Sequence, residues 1–139
     1  MLFRSLQLLL DNGANIESKD IEGNTPAHYA ARVGNVSSIV VLIGAGFDLK
    51  TRGERGCMVL HTAAYHNRTA VVRHLLDEEV GAALINVKDS TGFTPLALAT
   101  GPGREALIKL LIERGADLEA TDMYGDRLAD IIGVDYSCW

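Results

Sequence analysis

The sequence predicts an all-α repeat protein, in which pairs of helices stack side by side into a solenoid. A segment recurs along nearly the whole chain, each copy carries the start and stop signals of two helices, and 139 residues fit one domain. The copies begin at Asp20, Gly53, Asp89 and Asp122, so they are spaced 33, 36 and 33 residues apart. Because one helix pair cannot hide its apolar face alone, neighbouring pairs must cover it.

Each copy opens with a tight turn. Residues 20–23 read Asp-Ile-Glu-Gly and residues 89–92 read Asp-Ser-Thr-Gly, with a glycine at the fourth place. Glycine supplies the positive φ that such a turn needs. The turn is followed by the first helix, which Thr25-Pro26 and Thr94-Pro95 start. Threonine caps free N–H groups, and proline loses nothing at the first helical position.

The first helix of each unit ends at a breaker, and an apolar second helix follows. The breakers are Gly34, Asn67 and Gly103. The apolar second helices occupy one register, at 6–10, 39–43, 72–76 and 108–112. From this register we expect Val41, Leu75 and Leu110 to lie in the core.

The copy that begins at Gly53 is irregular. It has Met58-Val59 where its neighbours have Thr-Pro, and three extra residues fall between Asp77 and Leu84. We expect the insertion to extend the second helix or its exit loop.

Several short motifs carry a resemblance to a known family. Residues 25–30 read Thr-Pro-Ala-His-Tyr-Ala and residues 94–99 read Thr-Pro-Leu-Ala-Leu-Ala, each one change from Thr-Pro-Leu-His-x-Ala. Residues 58–63 keep the Leu, His and Ala of this motif. Two further stretches, Ile-Lys-Leu-Leu at 108–111 and Gly-Ala-Asp at 115–117, are close to the Val-Lys-Leu-Leu and Gly-Ala-Asp segments of the same family. The chain therefore resembles the ankyrin repeat family over nearly its whole length. The resemblance implies antiparallel helix pairs with β-hairpin finger loops projecting between repeats.

The repeats divide a single domain of residues 1–139 into five parts. These are a partial repeat (1–19), three whole repeats (20–52, 53–88 with the three-residue insertion, and 89–121) and a second partial repeat (122–139).

Neither end of the array carries the polar capping repeat that solenoids normally need. Apolar residues mark both edges, namely Leu2, Phe3, Leu6, Leu8 and Leu9 at one and Leu128, Ile131, Ile132, Tyr136 and Trp139 at the other. Exposed apolar patches usually mark an interface. We therefore hypothesise that the chain is an excerpt from a longer array, adjoining further repeats or self-associating through its ends. The alternative is that Tyr136 and Trp139 fold back as a cap.

Charge and composition exclude several classes of function. The 13 Lys and Arg against 18 Asp and Glu give a net charge of -5, which argues against a nucleic-acid binder and against a polybasic membrane-surface protein. No apolar run approaches the roughly 20 residues that span a bilayer. The 2 cysteines are too few for a disulfide framework and fit a reducing compartment. We expect a cytoplasmic or nuclear protein.

The sequence offers no motif for catalysis. It has no phosphate-binding loop, no His-Glu-x-x-His and no nucleophile elbow. A zinc site of Cys57, His61 and His66 is disfavoured, because Cys57 sits across the turn and no fourth ligand follows. The resemblance instead implies that His28 and His61 hydrogen-bond between neighbouring repeats. We therefore predict no enzyme activity, no cofactor and no metal.

Some residues are not needed for stacking, and they predict a binding surface. In ankyrin-like proteins the finger loops and the concave face of the inner helices grip partners, and Tyr and Arg often dominate binding energy. The alternative is scattered surface aromatics, which are normal singly. The predicted partner-binding residues are Tyr29, Arg32, Val33, Arg55, Tyr65, His66, Phe93, Met123 and Tyr124.

Two functions from different classes follow. The first is a protein-protein interaction module that binds a protein partner through its finger loops and concave face. The alternative is a structural spacer or regulatory segment of a larger multidomain signalling or catalytic protein. The first finger is acidic, the second mildly basic and the last acidic, so a partner with basic ends and a central acidic or hydrophobic segment would fit.

Overall fold

The computed structural model describes residues 16–100, 103–121 and 125–129. This part of the chain forms seven α-helices and one 3-10 turn, Glu54–Gly56. The helices are α1 (Pro26–Val33), α2 (Val36–Gly44), α3 (Val59–Tyr65), α4 (Thr69–Asp77), α5 (Glu79–Ala83), α6 (Pro95–Ala99) and α7 (Glu105–Glu113).

The helices lie in two rows. α1, α3 and α6 contact one another in that order and form the inner row, while α2, α4 and α7 form the outer row. Each inner helix also packs on the outer helix that follows it. The core lies between the rows, and its fully buried side chains include Leu42, Leu75 and Leu111. The predicted all-α repeat solenoid is confirmed.

The predicted start and stop signals act at the expected positions. Thr25 is extended, with φ -97° and ψ 169°, and Pro26 takes the first helical position. At α6 the Thr94 hydroxyl accepts a hydrogen bond from the Ala97 N–H at 3.2 Å. Gly34 ends α1 in the left-handed region with φ 81°, and Asn67 takes the same conformation after α3 with φ 57°.

The finger loops are tight turns. The Asp89 carboxylate accepts from the N–H groups of Thr91 (2.9 Å) and Phe93 (3.0 Å), and the Asp89 N–H donates to the Phe93 carbonyl (2.8 Å). Within the described ranges no β-strand forms, and the β pairing is an isolated bridge between Thr121 and Arg127. In the described residues the fingers are therefore single turns and not the β-hairpins that the resemblance implied. The backbone hydrogen bonds close the turn and do not continue as a ladder between two strands.

The segment that contains the three-residue insertion forms a separate five-residue helix, α5. Glu78 is extended, with φ -80° and ψ 138°, which ends α4 and lets α5 start again at Glu79. The expectation of a longer helix or loop is corrected accordingly. Gly81 is buried in α5, where an added Cβ would lie 1.8 Å from the Leu75 carbonyl oxygen. A side chain at this position cannot fit without moving α5 away from α4.

Two predictions about burial need correction. Val41 is half-buried, while Leu42 beside it is fully buried, as are Leu75 and Leu111 at the equivalent position. Successive helical residues point about 100° apart, so Val41 lies at the edge of the apolar face. Leu75 and Leu110 are buried as predicted.

The second correction concerns Leu128, which was expected at an open edge. Leu128 is fully buried, because its N–H donates to the Ala120 carbonyl at 2.8 Å and draws the last described segment back onto the preceding loop. The other residues named for the two edges lie outside the described residues. The repeat boundaries stay a prediction.

Candidate functional site

The inner row and the finger loops enclose a groove of about 660 Å³. Its walls come from α1, α3 and α6, and its rim comes from the turns before α3 and α6. Six of the nine predicted binding residues line it: Tyr29, Arg32, Arg55, Tyr65, His66 and Phe93. Val33 is 56% exposed at the end of α1 but lies outside the groove lining, and Met123 and Tyr124 lie outside the described residues.

Tyr65 is the aromatic side chain that the groove exposes most clearly. It is 53% exposed at the end of α3, and its ring meets the His66 ring edge-on, with centroids 5.0 Å apart at 80°. An exposed ring braced by a neighbour keeps a large apolar surface available at a small entropic cost.

Tyr29 and Phe93 do have roles in the fold, contrary to the sequence-based expectation. The Tyr29 hydroxyl donates to the Asp20 carboxylate and so ties α1 to the first finger. This hydrogen bond raises the pKa of Tyr29 and is the main cause of the lowered pKa of Asp20. Phe93 is half-buried and donates its N–H to Asp89. Both residues therefore serve the fingers as well as the groove.

Three arginines gather where the inner helices end. The Arg68 Nε donates to the Arg32 carbonyl at 2.9 Å, at the end of α1. One terminal guanidinium nitrogen of Arg104 donates to the carbonyls of Ala64 (3.1 Å) and Tyr65 (2.6 Å), at the end of α3. Each of these two arginines thus caps the inner helix of the preceding repeat.

The sequence-based prediction missed Arg68 and Arg104. The signal was the register of Arg68 and Arg104, which are 36 residues apart, as their two repeats are, and which both precede an outer helix where the first copy has Asn35. Burial lowers the pKa of His66, which lies among them, and the positive charges of the three arginines lower it further.

His28 bonds to the following repeat, as the resemblance implied, whereas the acceptor of His61 is Val87, which the predicted boundaries place at the end of its own repeat, just before the turn at Asp89. His28 Nε2 lies 2.9 Å from the Cys57 carbonyl oxygen, and His61 Nε2 lies 2.7 Å from that of Val87. In each ring Nδ1 accepts a backbone N–H at 3.2 Å, from Thr25 or Met58, so Nε2 carries the proton and donates. Burial lowers the pKa of both histidines.

Cys57 and Asp89 are held in their ordinary charge states. Burial, together with the negative charge of Asp89, raises the pKa of the Cys57 thiol to about 11. Burial raises the pKa of Asp89, but hydrogen bonds from Thr91 and Phe93 outweigh it, so the net pKa is lowered. In the part of the chain that the structure describes, no three His, Cys, Asp or Glu side chains could share a metal ion.

The groove therefore offers groups for non-covalent binding, namely exposed aromatic rings, arginine side chains and the residues of the finger turns. None of the described helices is long and apolar enough to cross a membrane.

Comparisons with known proteins agree with this architecture. The family described as ankyrin repeats (3 copies) matches residues 3–78 and again residues 33–122. Transient receptor potential cation channel subfamily A member 1 of Homo sapiens is 33% identical over 101 residues, which are 73% of this chain and 9% of that protein.

Two further relatives also match about two thirds or more of this chain with a small part of their own length. Ankyrin repeat and SOCS box protein 3 of Homo sapiens is 35% identical over 94 residues, 68% of this chain and 18% of that protein. The channel protein of Drosophila melanogaster is 38% identical over 101 residues, 73% of this chain and 8% of that protein. The matched stretch is thus a small part of each relative.

Proposed function

Because the chain belongs to the ankyrin repeat family, we propose that it is a protein-interaction module that holds a segment of a protein partner in its groove. Ankyrin repeats generally mediate contacts between proteins. The observation that carries the proposal is the groove itself, which gathers six predicted binding residues from three repeats along one face.

The groove has the composition of a binding surface. Its aromatic side chains, Tyr29, Tyr65 and Phe93, come from successive repeats and are all partly or largely accessible. Tyrosine and arginine frequently provide most of the binding energy of an interface, because they bury a large area with few torsions to fix. Arg32 and Arg55 are exposed on the same face.

A second function is supported by the lengths of the relatives. The matched stretch makes up 9% and 18% of the two human proteins. We propose as the alternative that this segment acts inside a larger protein, as a spacer or regulatory element that positions its neighbours. Catalysis in the larger protein would then lie elsewhere, and the groove would bind without a cofactor or a metal.

We also propose an intracellular site of action, in the cytoplasm or nucleus. The support is the small number of cysteines and the Cys57 thiol, which is free and held protonated. Fractionation of cells that produce the tagged chain tests this location, and recovery from the secreted fraction would contradict it.

Affinity capture from cell extract tests the interaction proposal. The native chain is compared with a Tyr65→Ala, Phe93→Ala variant, after circular dichroism shows that both are folded. The control variant, Val40→Ala with Val80→Ala, removes exposed apolar side chains from α2 and α5, outside the groove lining.

We expect a protein that the native chain and the control retain and the groove variant loses. Equal retention by all three, or by none, would favour the spacer function.

A further inference from the structure

The ends of the inner helices and the turns that follow them carry a basic patch, made of Arg32, Arg68 and Arg104 around His66. Arg68 reaches back to the Arg32 backbone, and Arg104 reaches back to the backbone beside His66. An added Cβ on Gly34 would lie 3.0 Å from the Arg68 Cδ, so the Arg68 side chain runs closely over the end of α1.

This patch is short of negative charge. In the described residues, Arg32, Arg68 and Arg104 form no ion pair with a carboxylate. The described turns 33–36, 65–69 and 103–105 contain a single acidic residue, Glu105. The carbonyls that Arg68 and Arg104 cap carry the negative end of a helix dipole, equivalent to about half a charge per helix, which is less than the charge of one arginine. The patch therefore keeps a net positive charge within a chain of net charge -5.

The patch is also continuous with the groove. Arg32 and His66 line the groove together with Tyr65, Thr62 and Leu98. A segment lying in the groove thus meets the Arg32 guanidinium at the end of α1 and apolar surface on Leu98 and Phe93, while the carboxylates of Glu54 and Asp89 lie at the finger rim.

We propose that the groove takes an acidic peptide segment of its protein partner, with Asp or Glu carboxylates facing Arg32 and the patch around it. This inference rests on the proposed interaction function and specifies the chemistry of the partner. Arginine suits the role because its planar guanidinium pairs with a carboxylate through two parallel hydrogen bonds. Of the three arginines of the patch, Arg32 is the one whose guanidinium makes no hydrogen bond or ion pair with the part of the chain that the structure describes; its carbonyl accepts from Arg68.

A peptide fits these observations better than a nucleic acid. A phosphate backbone needs a row of cationic contacts and excess positive charge along the face that it follows. Here the cations are confined to the helix ends, and the fingers on the same face carry the carboxylates of Asp20, Glu22 and Glu54. A continuous strand of phosphates would have to run past that negative charge, whereas a peptide can place its Asp or Glu side chains at the helix ends and uncharged side chains beside the fingers.

A randomised peptide library displayed on phage provides the probe. The full chain is the bait, and enriched peptides are synthesised and their binding measured by fluorescence anisotropy at low and high salt. The same peptides are measured against Arg32→Glu and against Arg73→Glu, which makes the same change of charge on an exposed site of α4. Arg32→Gln provides a milder second variant, and Tyr65→Ala maps binding to the groove.

We expect the enriched peptides to be rich in Asp and Glu, to bind the Arg32→Glu variant about tenfold or more weakly, and to bind Arg73→Glu like the native chain. Their affinity should also fall with salt. Neutral or basic peptides that lose affinity for Tyr65→Ala but not for Arg32→Glu would overturn the acidic partner and leave the interaction function standing.

Peptides whose affinity changes neither with Arg32→Glu nor with Tyr65→Ala would overturn both the acidic partner and the interaction function. A library that yields no enriched peptide would do the same. A single-stranded DNA oligonucleotide that binds as tightly as the acidic peptides, and depends equally on Arg32, would overturn the choice of a peptide.

Discussion

At the scale of the residue, His28 and His61 each tie an inner helix to the finger that leads into the next inner helix. Each imidazole accepts a backbone N–H at the start of its own inner helix and donates to a carbonyl of that finger, on Cys57 or Val87. Both rings are buried, so these hydrogen bonds replace contacts with water that are lost on folding. The same side chain therefore caps a helix and fixes the distance between neighbouring units.

Removing one of these rings should be costly. His61→Ala leaves the Met58 N–H and the Val87 carbonyl without their partner, and each buried group left unsatisfied costs about 1–3 kcal/mol. We expect a loss of that order in the free energy of unfolding, measured by urea titration. The control is His74→Ala on α4, where the side chain is 30% exposed and the expected change is about 0.5 kcal/mol. Equal losses for the two variants would contradict the bridging role of His61.

At the scale of the element, one position in the helix separates the core from its edge. Leu42 and Val41 are adjacent in α2, yet Leu42 is fully buried and Val41 is half-buried. The repeat alignment placed 41, 74 and 110 in one row, and only Leu110 of these three is buried. The row that faces the core in the three described outer helices is Leu42, Leu75 and Leu111.

Alanine substitutions in α2 can measure this difference. Leu42→Ala should cost about 2–5 kcal/mol, because it removes a fully buried side chain and leaves a cavity. Val41→Ala should cost less than half as much, since part of its side chain already meets water. Chemical denaturation of both variants provides the comparison. A larger loss for Val41→Ala would restore the register that the sequence suggested.

The short helix α5 depends on a glycine. Gly81→Ala places a Cβ against the Leu75 carbonyl, and overpacking of this kind costs about 1–3 kcal/mol. Gly44→Ala is the matched substitution, because the added Cβ at the end of α2 meets no atom within 4 Å from other described elements of the chain. It should stabilise the protein by about 0.4–1 kcal/mol through the reduced freedom of the unfolded chain. Thermal unfolding that shifts in the same direction for both would refute the close packing of α5.

The sequence could predict what depends on local signals and on the repeat, but not what depends on contacts between repeats. Thr25-Pro26, Gly34 and Asn67 mark helix ends by their own conformational preferences, and each was predicted correctly. The capping contacts of Arg68 and Arg104 join residues 36 to 40 positions apart, so no local pattern contains them. The binding residues were predicted from their positions in the repeat, which do not fix the direction of each side chain. Val33 therefore lies outside the groove lining although its neighbour Arg32 lies in it.

The insertion and the hydroxyl of Tyr29 illustrate the same limit. Whether three extra residues lengthen α4 or start α5 is decided by the backbone of Glu78, an ordinary residue in the sequence. The bond from Tyr29 to Asp20 needs the finger to fold back toward α1, which is a tertiary arrangement. Binding itself depends on a partner and stays a prediction.

At the scale of the whole molecule, the histidines make stability depend on pH. Burial lowers the pKa of His28, His61 and His66 below the ordinary value of 6.5. In the unfolded chain these groups take up protons near that value, while the folded chain binds fewer. Their contribution to stability is therefore complete above about pH 7 and is lost as the pH falls through the ordinary value.

We expect the free energy of unfolding to decrease between about pH 7 and pH 5, as measured by urea titration at a series of pH values. The His28→Gln, His61→Gln variant should be less stable at neutral pH and show a shallower decrease toward acid. The single variant His74→Gln controls for the loss of an imidazole. A free energy that stays constant or rises toward pH 5 would contradict the buried neutral state of these rings.

The hydrogen bonds that His28 and His61 donate to the fingers, here called joints, affect how the array can change over evolutionary time. Both histidines donate to main-chain oxygens, and the two oxygens lie on opposite arms of their fingers, since Cys57 follows one turn and Val87 precedes the other. Because the acceptor is a main-chain carbonyl, the residue that provides it can carry any side chain. In the middle repeat three additional residues have been absorbed upstream of Val87, as α5, and the joint persists. A unit that has the histidine can therefore gain residues or change its surface while the finger keeps its path, and the copy that begins at Asp89 has Ala97 in place of the histidine.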